Sequence, residues 1–355
     1  MSSLLIKNGR LWDGNRFFYA DLYVCDGIIA KIANNIDITA DYTYDATGKI
    51  VSAGLVDCHI HMKGPEPDKY GINAEMSCIP FGVTSAADAG GAHGNKELSD
   101  ACLVKTVTFA KVGIVNNEPD YQITEKKLQL YEDQIIGLKV YFDSKTTDVC
   151  SITPLAEICS YAQNRNLRVM VHCSNSPAPM SEILEILRPG DILTHAFHGG
   201  MHTARDDNYL SMQKAKQRGI IIDAGFAGHI HTDFSVFRAA IAQGVLPDTI
   251  STDITRSSAY TRGGRFGMTL CMSMARTAGM KEADIFRAVT STPAKALGKE
   301  DQWGCLKEGG SADIAVLEYG HEPFNLTDKA GNKLNDTKGY RCKMTVANGI
   351  VVWRD

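Results

Sequence analysis

Apolar and polar positions along the chain fall into two regimes. At both ends they alternate, as in SLLIKNGRLW, ADLYVCDGIIAKI and KIVSAG near the start and SADIAVLEY and RCKMTVANGIVVWRD near the finish. Period-two runs of this kind predict half-buried strands. Asp13-Gly14, Asp26-Gly27 and Asn348-Gly349 predict the turns between them. Neither end is large enough for a stable sheet alone. Residues 1–53 and 302–355 are therefore expected to pair into one small β-sandwich domain made from both termini.

Between the ends, short apolar runs alternate with helical patterns. Strands are predicted at Gly54–Cys58, Val83–Ala87, Thr108–Val115, Gly137–Phe142, Arg168–Cys173, Asp191–Ala196, Ile220–Ala224 and Asp248–Asp253. Helices are predicted at Thr124–Gln134, Pro154–Asn164, Ser181–Leu187, Asn208–Arg218 and Phe234–Gln243, with a further helical stretch from Met268 to Leu297. Alternation of this kind implies a parallel sheet. Eight units between residues 54 and 298 match the ~250 residues of a TIM barrel. The expected fold is α/β, with a (β/α)8 barrel over residues 54–301. An open doubly wound sheet is the runner-up, weakened because no G-x-G-x-x-G follows the first strand.

Composition narrows the function classes. The 355 residues are 44% apolar and 22% charged, which excludes a disordered chain, a coiled coil and a collagen. The net charge of -4 argues against a nucleic-acid or anionic-membrane partner. No run of ~18 apolar residues predicts a membrane span. The start, MSSLLIKNGRLWDG, does not read as a signal peptide. The ten cysteines include no C-x-x-C pair, so reduced thiols in a cytoplasmic protein are expected.

The chemistry gathers at strand ends. His59 and His61 close the first predicted strand, Lys139 lies in the fourth, and His172, His195 and Asp253 end the fifth, sixth and eighth. In a barrel these ends converge on one mouth, where active sites sit. Four imidazoles and a carboxylate suit zinc and related ions. Lys139 is the odd member, because an ammonium beside a dication is repelled and costly to desolvate. A carbamate formed from CO2 would be anionic and could bridge two metals. A plain ion-paired lysine would instead leave a mononuclear site.

These residues resemble a known family. GLVDCHIHMKG is similar to the H-x-H signature of the amidohydrolase superfamily, and GLKVYF to the segment whose lysine is carboxylated in its binuclear members. VMVHCSN, LTHAFHG and STDITR resemble its later ligand motifs, and GSADIAVLE and TVANGIVVWRD its composite β domain. The H-x-E of the mononuclear deaminases is absent, since Ser174 takes that position. LTHAFHG and SAADAGGAHG are most similar to the dihydroorotase-like deacetylase branch, which removes acetyl groups from N-acetyl or O-acetyl α-carboxylates.

The resemblance implies two divalent ions, with zinc the expected metal. His59, His61, carboxylated Lys139 and Asp253 would hold one; Lys139, His172 and His195 the other. A bridging hydroxide would attack the carbonyl of a small-molecule substrate, and Asp253 would move the proton. His198, Arg256 and His93 are candidate substrate contacts, Arg256 for a carboxylate. Arg262 and Arg265 read as solvated loop arginines, and His229 and His231 as loop residues. Cys58 and Cys173 read as packing residues that point away from the metals. Two rivals stand beside deacetylation: cyclic-amide opening of the dihydroorotase or hydantoinase kind, and a non-catalytic scaffold. A homo-oligomer is an analogy with other barrels of this size.

Overall fold

The computed structural model describes residues 3–63, 70–90, 102–260 and 266–355, the side chains of His229 and Tyr260 excepted. His93, Arg262 and Arg265 lie outside the described residues. The first sheet begins with β1 (Ser3–Trp12), β2 (Phe17–Cys25), β3 (Ile28–Ala33), β4 (Tyr42–Asp45) and β5 (Ile50–Ala53). The second holds β6 (Leu55–Ile60), β7 (Val83–Ala89), β8 (Lys105–Val115), β9 (Glu118–Asp120), β10 (Ile135–Tyr141), β11 (Arg168–His172), β12 (Ile192–Thr194) and β13 (Ile221–Asp223). The chain then returns to the first sheet through β14 (Ile314–Thr327), β15 (Lys333–Ala347) and β16 (Ile350–Arg354).

The first sheet runs in the order β16-β15-β14-β5-β1-β2-β3, with β4 beside β1. Its two halves join where β14 lies antiparallel to β5, Val316 opposite Val51. Alternate residues of these strands, among them Leu4, Ile6, Leu22, Val24, Ile314 and Val316, share one buried cluster. Strands from both ends of the chain thus lie in one sheet. The β14–β15 hairpin is longer than the rest of its sheet needs. Its tip reaches the start of the helix Phe234–Ala242, where Asp328 accepts the backbone N–H of Phe234 at 2.8 Å and Asn332 donates to the capping residue Asp233 at 3.2 Å.

The second sheet is parallel along β6-β7-β8-β10-β11-β12-β13, and β9 adds antiparallel to β8. It curls. Residues 248–253 were expected as an eighth strand; this stretch and the residue after it form two isolated parallel bridges instead, Asp223 with Thr249 and Ile60 with Ile254. Those bridges touch both edges of the sheet. Backbone bonds tie the stretch to both neighbours, among them Ala224 N–H to the Thr249 carbonyl at 3.0 Å and Asp253 N–H to the His59 carbonyl at 2.7 Å, and Asp253 leaves the extended conformation at φ 47°. The helices fall close to expectation, at Gln122–Leu130, Thr153–Gln163, Met180–Ile186, Leu210–Gln217 and Phe234–Ala242. The stretch after Met268 is three helices, Met268–Thr277, Glu282–Ala288 and Ser291–Ala296. Gly279, at φ 114°, makes the first break.

Strand alternation sorts the second sheet's side chains into two layers. Val107, Phe109, Met170 and Ile192 pack together on the inner face. Leu138, Val140, Val169, Val171 and Leu193 pack outward against helix residues such as Leu155, Ile158 and Phe237. Lys139 and His172 keep the inner phase, so the same alternation that builds the core delivers them to the inside.

Candidate active site

Asp253 is the hub. Its Oδ1 stands 2.9 Å from His61 Nε2 and 3.2 Å from His59 Nε2, and its Oδ2 stands 3.6 Å from His195 Nε2 and 3.9 Å from His231 Nε2. His172 completes the group, its ring centroid 4.5 Å from that of His195 and 5.0 Å from that of His231. Lys139 is fully buried, with Nζ 3.0 Å from His59 Nε2. All six residues expected as metal ligands are thus brought to one place. Among the described residues, two sets have ligand atoms close enough to share an ion: His59, His61 and Asp253, and His172, His195 and His231.

The backbone is bent to achieve this. His195 and Asp253 have φ of 69° and 47°, a region that costs non-glycine residues energy and clusters at functional sites. Gly225 is required beside them. A Cβ there would fall 2.3 Å from Thr194 Oγ1 and 2.5 Å from His195 Nδ1. Gly90, at φ +91°, is another, since a Cβ would fall 2.8 Å from Lys139 Cγ.

Hydrogen bonds fix which ring nitrogen is bare. His195 Nδ1 lies 2.7 Å from the Gly225 carbonyl, which can only accept. Its proton is therefore on Nδ1, and Nε2 is buried with no partner among the described residues. A lone pair sealed from water and unpaired is costly unless a cation meets it, so the donor set fits a metal. His172 Nε2 contacts Asp143 Oδ2 at 3.3 Å, and Asp143 also accepts from Asn175 at 2.8 Å.

Electrostatics keeps the histidines neutral, as ligands must be. Burial, then the charge of Lys139, pushes His59 down to about 4; burial, then His172, pushes His231 down to about 3. Burial lowers His172, and it lowers His195 strongly, with the neighbouring imidazoles adding to it. Burial also brings Lys139 down to about 8, against the pull of Asp253 and Asp223. Burial alone would raise the Asp253 carboxyl; its electrostatic interaction with His59 and the hydrogen bond from His61 outweigh it and hold it below the ordinary range.

A cavity of about 600 Å³ opens over this floor, lined by His61, His172, His231 and Asp253 together with Lys111 and Tyr141. A neighbouring pocket of about 300 Å³ contains His198, with Lys145 and the hairpin residue Lys329. His198 Nδ1 accepts the Gly200 N–H at 3.0 Å, so its proton is on Nε2. Arg256 is exposed at the start of the short helix Arg256–Tyr260; its neighbours Thr255 and Ser257 line the larger cavity.

Three placements differ from expectation. His231 follows no strand and was read as a plain loop residue, yet the turn after β13 folds it back among the site histidines, where its Nδ1 meets Ser174 Oγ at 3.0 Å. Asp223 carries no motif, but it is buried at the end of β13 and accepts from Thr194, Thr249 and Ser251 at 2.8, 2.7 and 2.7 Å. Cys58 was expected to face outward; it faces inward, 3.6 Å from Asp223 Oδ1, because the β6 register breaks between Asp57 and Ile60. Cys173 does pack outward, its thiol donating to the Thr194 carbonyl at 3.2 Å.

A model of the amidohydrolase family matches residues 50–352. A deacetylase of Agrobacterium fabrum is 30% identical over 86% of this chain and 80% of its own length. A deacetylase of Enterococcus faecalis is 29% identical over 92% of this chain and 93% of its own. A dihydroorotase of Lactobacillus acidophilus is 24% identical over 99% of this chain and 98% of its own. Among solved structures, a dihydroorotase superposes with a TM-score of 0.86 at 24% identity, covering 99% of each chain.

Proposed function

The chain belongs to the amidohydrolase family and is a hydrolase, and from that premise we propose that it deacetylates N-acetyl or O-acetyl α-carboxylates at the Asp253 site. The observation that carries the reading is the span of one carboxylate, Asp253, across both histidine sets at the base of an open cavity. The similarity to two deacetylases over most of the chain supports the substrate class.

We read residues 54–301 as a (β/α)8 barrel and residues 1–53 with 302–355 as the composite β domain. The donor set suits two divalent ions, zinc by ligand type. His59, His61, Lys139 and Asp253 would hold one, and Lys139, His172 and His195 the other. Lys139 would do so as a carbamate. Its burial favours the neutral amine, the form that attacks CO2.

Bound divalent ions would supply Lewis acidity, lowering the pKa of a water and polarising the scissile carbonyl. The chain's own residues do the rest. Asp253 accepts the proton of the attacking water, since its carboxylate is held ionised, and returns it to the leaving nitrogen or oxygen. His231, on the cavity wall 3.9 Å from Asp253 Oδ2, faces the same reacting centre. Asp143 fixes the His172 ring by its 3.3 Å contact.

The test is a hydrolysis panel on zinc-replete protein: N-acetyl-D- and L-amino acids, O-acetyl hydroxy acids, dihydroorotate and simple hydantoins. Turnover of the open-chain acetylated acids is expected. Turnover of the cyclic amides alone would replace the reading with ring opening, which the dihydroorotase relative favours.

A further inference from the structure

Lys111 and Lys139 are register partners on the adjacent parallel strands β8 and β10, both in the inward phase. Their environments are opposite. Lys139 is fully buried among the histidines, while Lys111 is solvent-accessible on the wall of the cavity above them. Both ammonium groups stand over the same ring, that of Tyr141, at 5.1 Å for Lys111 and 5.6 Å for Lys139. The two nitrogens are therefore within about 11 Å of each other, the length of one small molecule.

Among the described residues that line this cavity, Lys111 is the single lysine or arginine. The cavity carboxylates have other partners: Asp143 has His172 and Asn175, Asp253 has His59 and His61, and Asp88 has the backbone N–H of Met62 at 3.2 Å. The Lys111 ammonium stands over the Tyr141 ring in a cation–π contact, which restricts it and lowers the entropy lost when an anion is gripped.

We propose that Lys111 is the anchor for the substrate's carboxylate and sets the preference of this site for small acidic substrates. The proposal rests on the hydrolytic reading of the Asp253 site. In an acetylated α-amino acid, three bonds separate the scissile carbonyl carbon from the carboxylate carbon. An anchor must therefore stand close to the reacting centre but outside the cluster of ligands. Lys111 lines the cavity above that cluster, and Arg256 is not among the cavity's lining residues.

The test compares K111M with wild type on N-acetylglycine and on N-acetylglycinamide. For the acid, KM should rise about 10- to 100-fold, the weight of one charge-assisted hydrogen bond, with kcat nearly unchanged. For the amide, KM should not move, and K111R should recover part of the loss. Equal effects on acid and amide, or none on the acid, would overturn the assignment. Should K111M fail to fold by circular dichroism, K111Q gives the same comparison. If the wild type opens only cyclic amides, deacetylation falls, and Lys111 is judged on dihydroorotate against hydantoin. A wild type indifferent to the carboxylate overturns Lys111 in either case.

Discussion

Asp223 reaches His59 through the hydroxyl of Thr194. Thr194 Oγ1 donates its one proton to Asp223 Oδ2 at 2.8 Å, so it can only accept from His59 Nδ1, 3.1 Å away. The His59 proton is thereby fixed on Nδ1, and Nε2 is left to face Asp253 and Lys139. His195 is set the same way by the Gly225 carbonyl. Thr194→Val keeps the shape and removes the relay. Metal affinity should fall about 10- to 100-fold, as for other groups that orient ligands, read by competition with a chromophoric chelator. Unchanged affinity would mean that the strand alone orients His59.

Asp253 is a proton carrier in this scheme as well as a ligand. Asp253→Asn should lower kcat by about 100- to 10,000-fold, the range for a general base. The fold should survive, because asparagine tolerates the left-handed backbone at φ 47° as well as aspartate does. Circular dichroism should match wild type, and turnover is compared at equal metal content. Retained turnover would remove Asp253 from the proton path.

Carboxylation of Lys139 makes metal uptake depend on CO2. Metal-stripped protein should recover activity faster, and to a higher level, in zinc with bicarbonate than in zinc with CO2-free buffer. Native mass spectrometry of the recovered protein should show one added CO2 per chain. Equal recovery in both buffers would leave Lys139 a plain amine beside His59.

His231 lies within ligand reach of His172 and His195, yet it also lines the cavity. A substrate-facing role predicts that His231→Asn keeps two metal ions per chain and lowers kcat about 100-fold, within the range for a positioned acid or base. Loss of one ion on elemental analysis would make His231 a ligand instead.

The sequence carried the expected ligands because each lies in or closes an apolar run with its own phase. Lys139 in IIGLKVYF and His172 in LRVMVHC are legible for that reason. His231 is not. It follows no run, and its place depends on the turn after a three-residue strand, Ile221–Asp223. Asp223 is silent in another way: it ends that strand as an ordinary acid does, and its partners Thr194, Thr249 and Ser251 come from segments up to 29 residues away. Cys58 was misplaced because strict alternation was assumed across a register break that only the neighbouring strand reveals. Lys111, in KTVTFAKVGIV, carries no motif of its own; its place beside Tyr141 comes from the neighbouring strand.

His198 gives the fold a pH dependence of known sign. Burial, then the charge of His172, pushes it down to about 4, whereas an unfolded histidine titrates near ~6.5. Between those values the unfolded chain binds a proton that the native chain refuses. Native stability therefore falls as pH drops from ~6.5 towards 4, and the group contributes nothing above that window. At the acid end the loss is about 3 kcal/mol at most. His198→Gln cannot titrate. Urea unfolding of the two metal-free proteins across this range should give a shallower loss for the variant, with the curves parallel above pH ~7. Parallel curves at every pH would mean that His198 takes up its proton in the native state as readily as it does in the unfolded one.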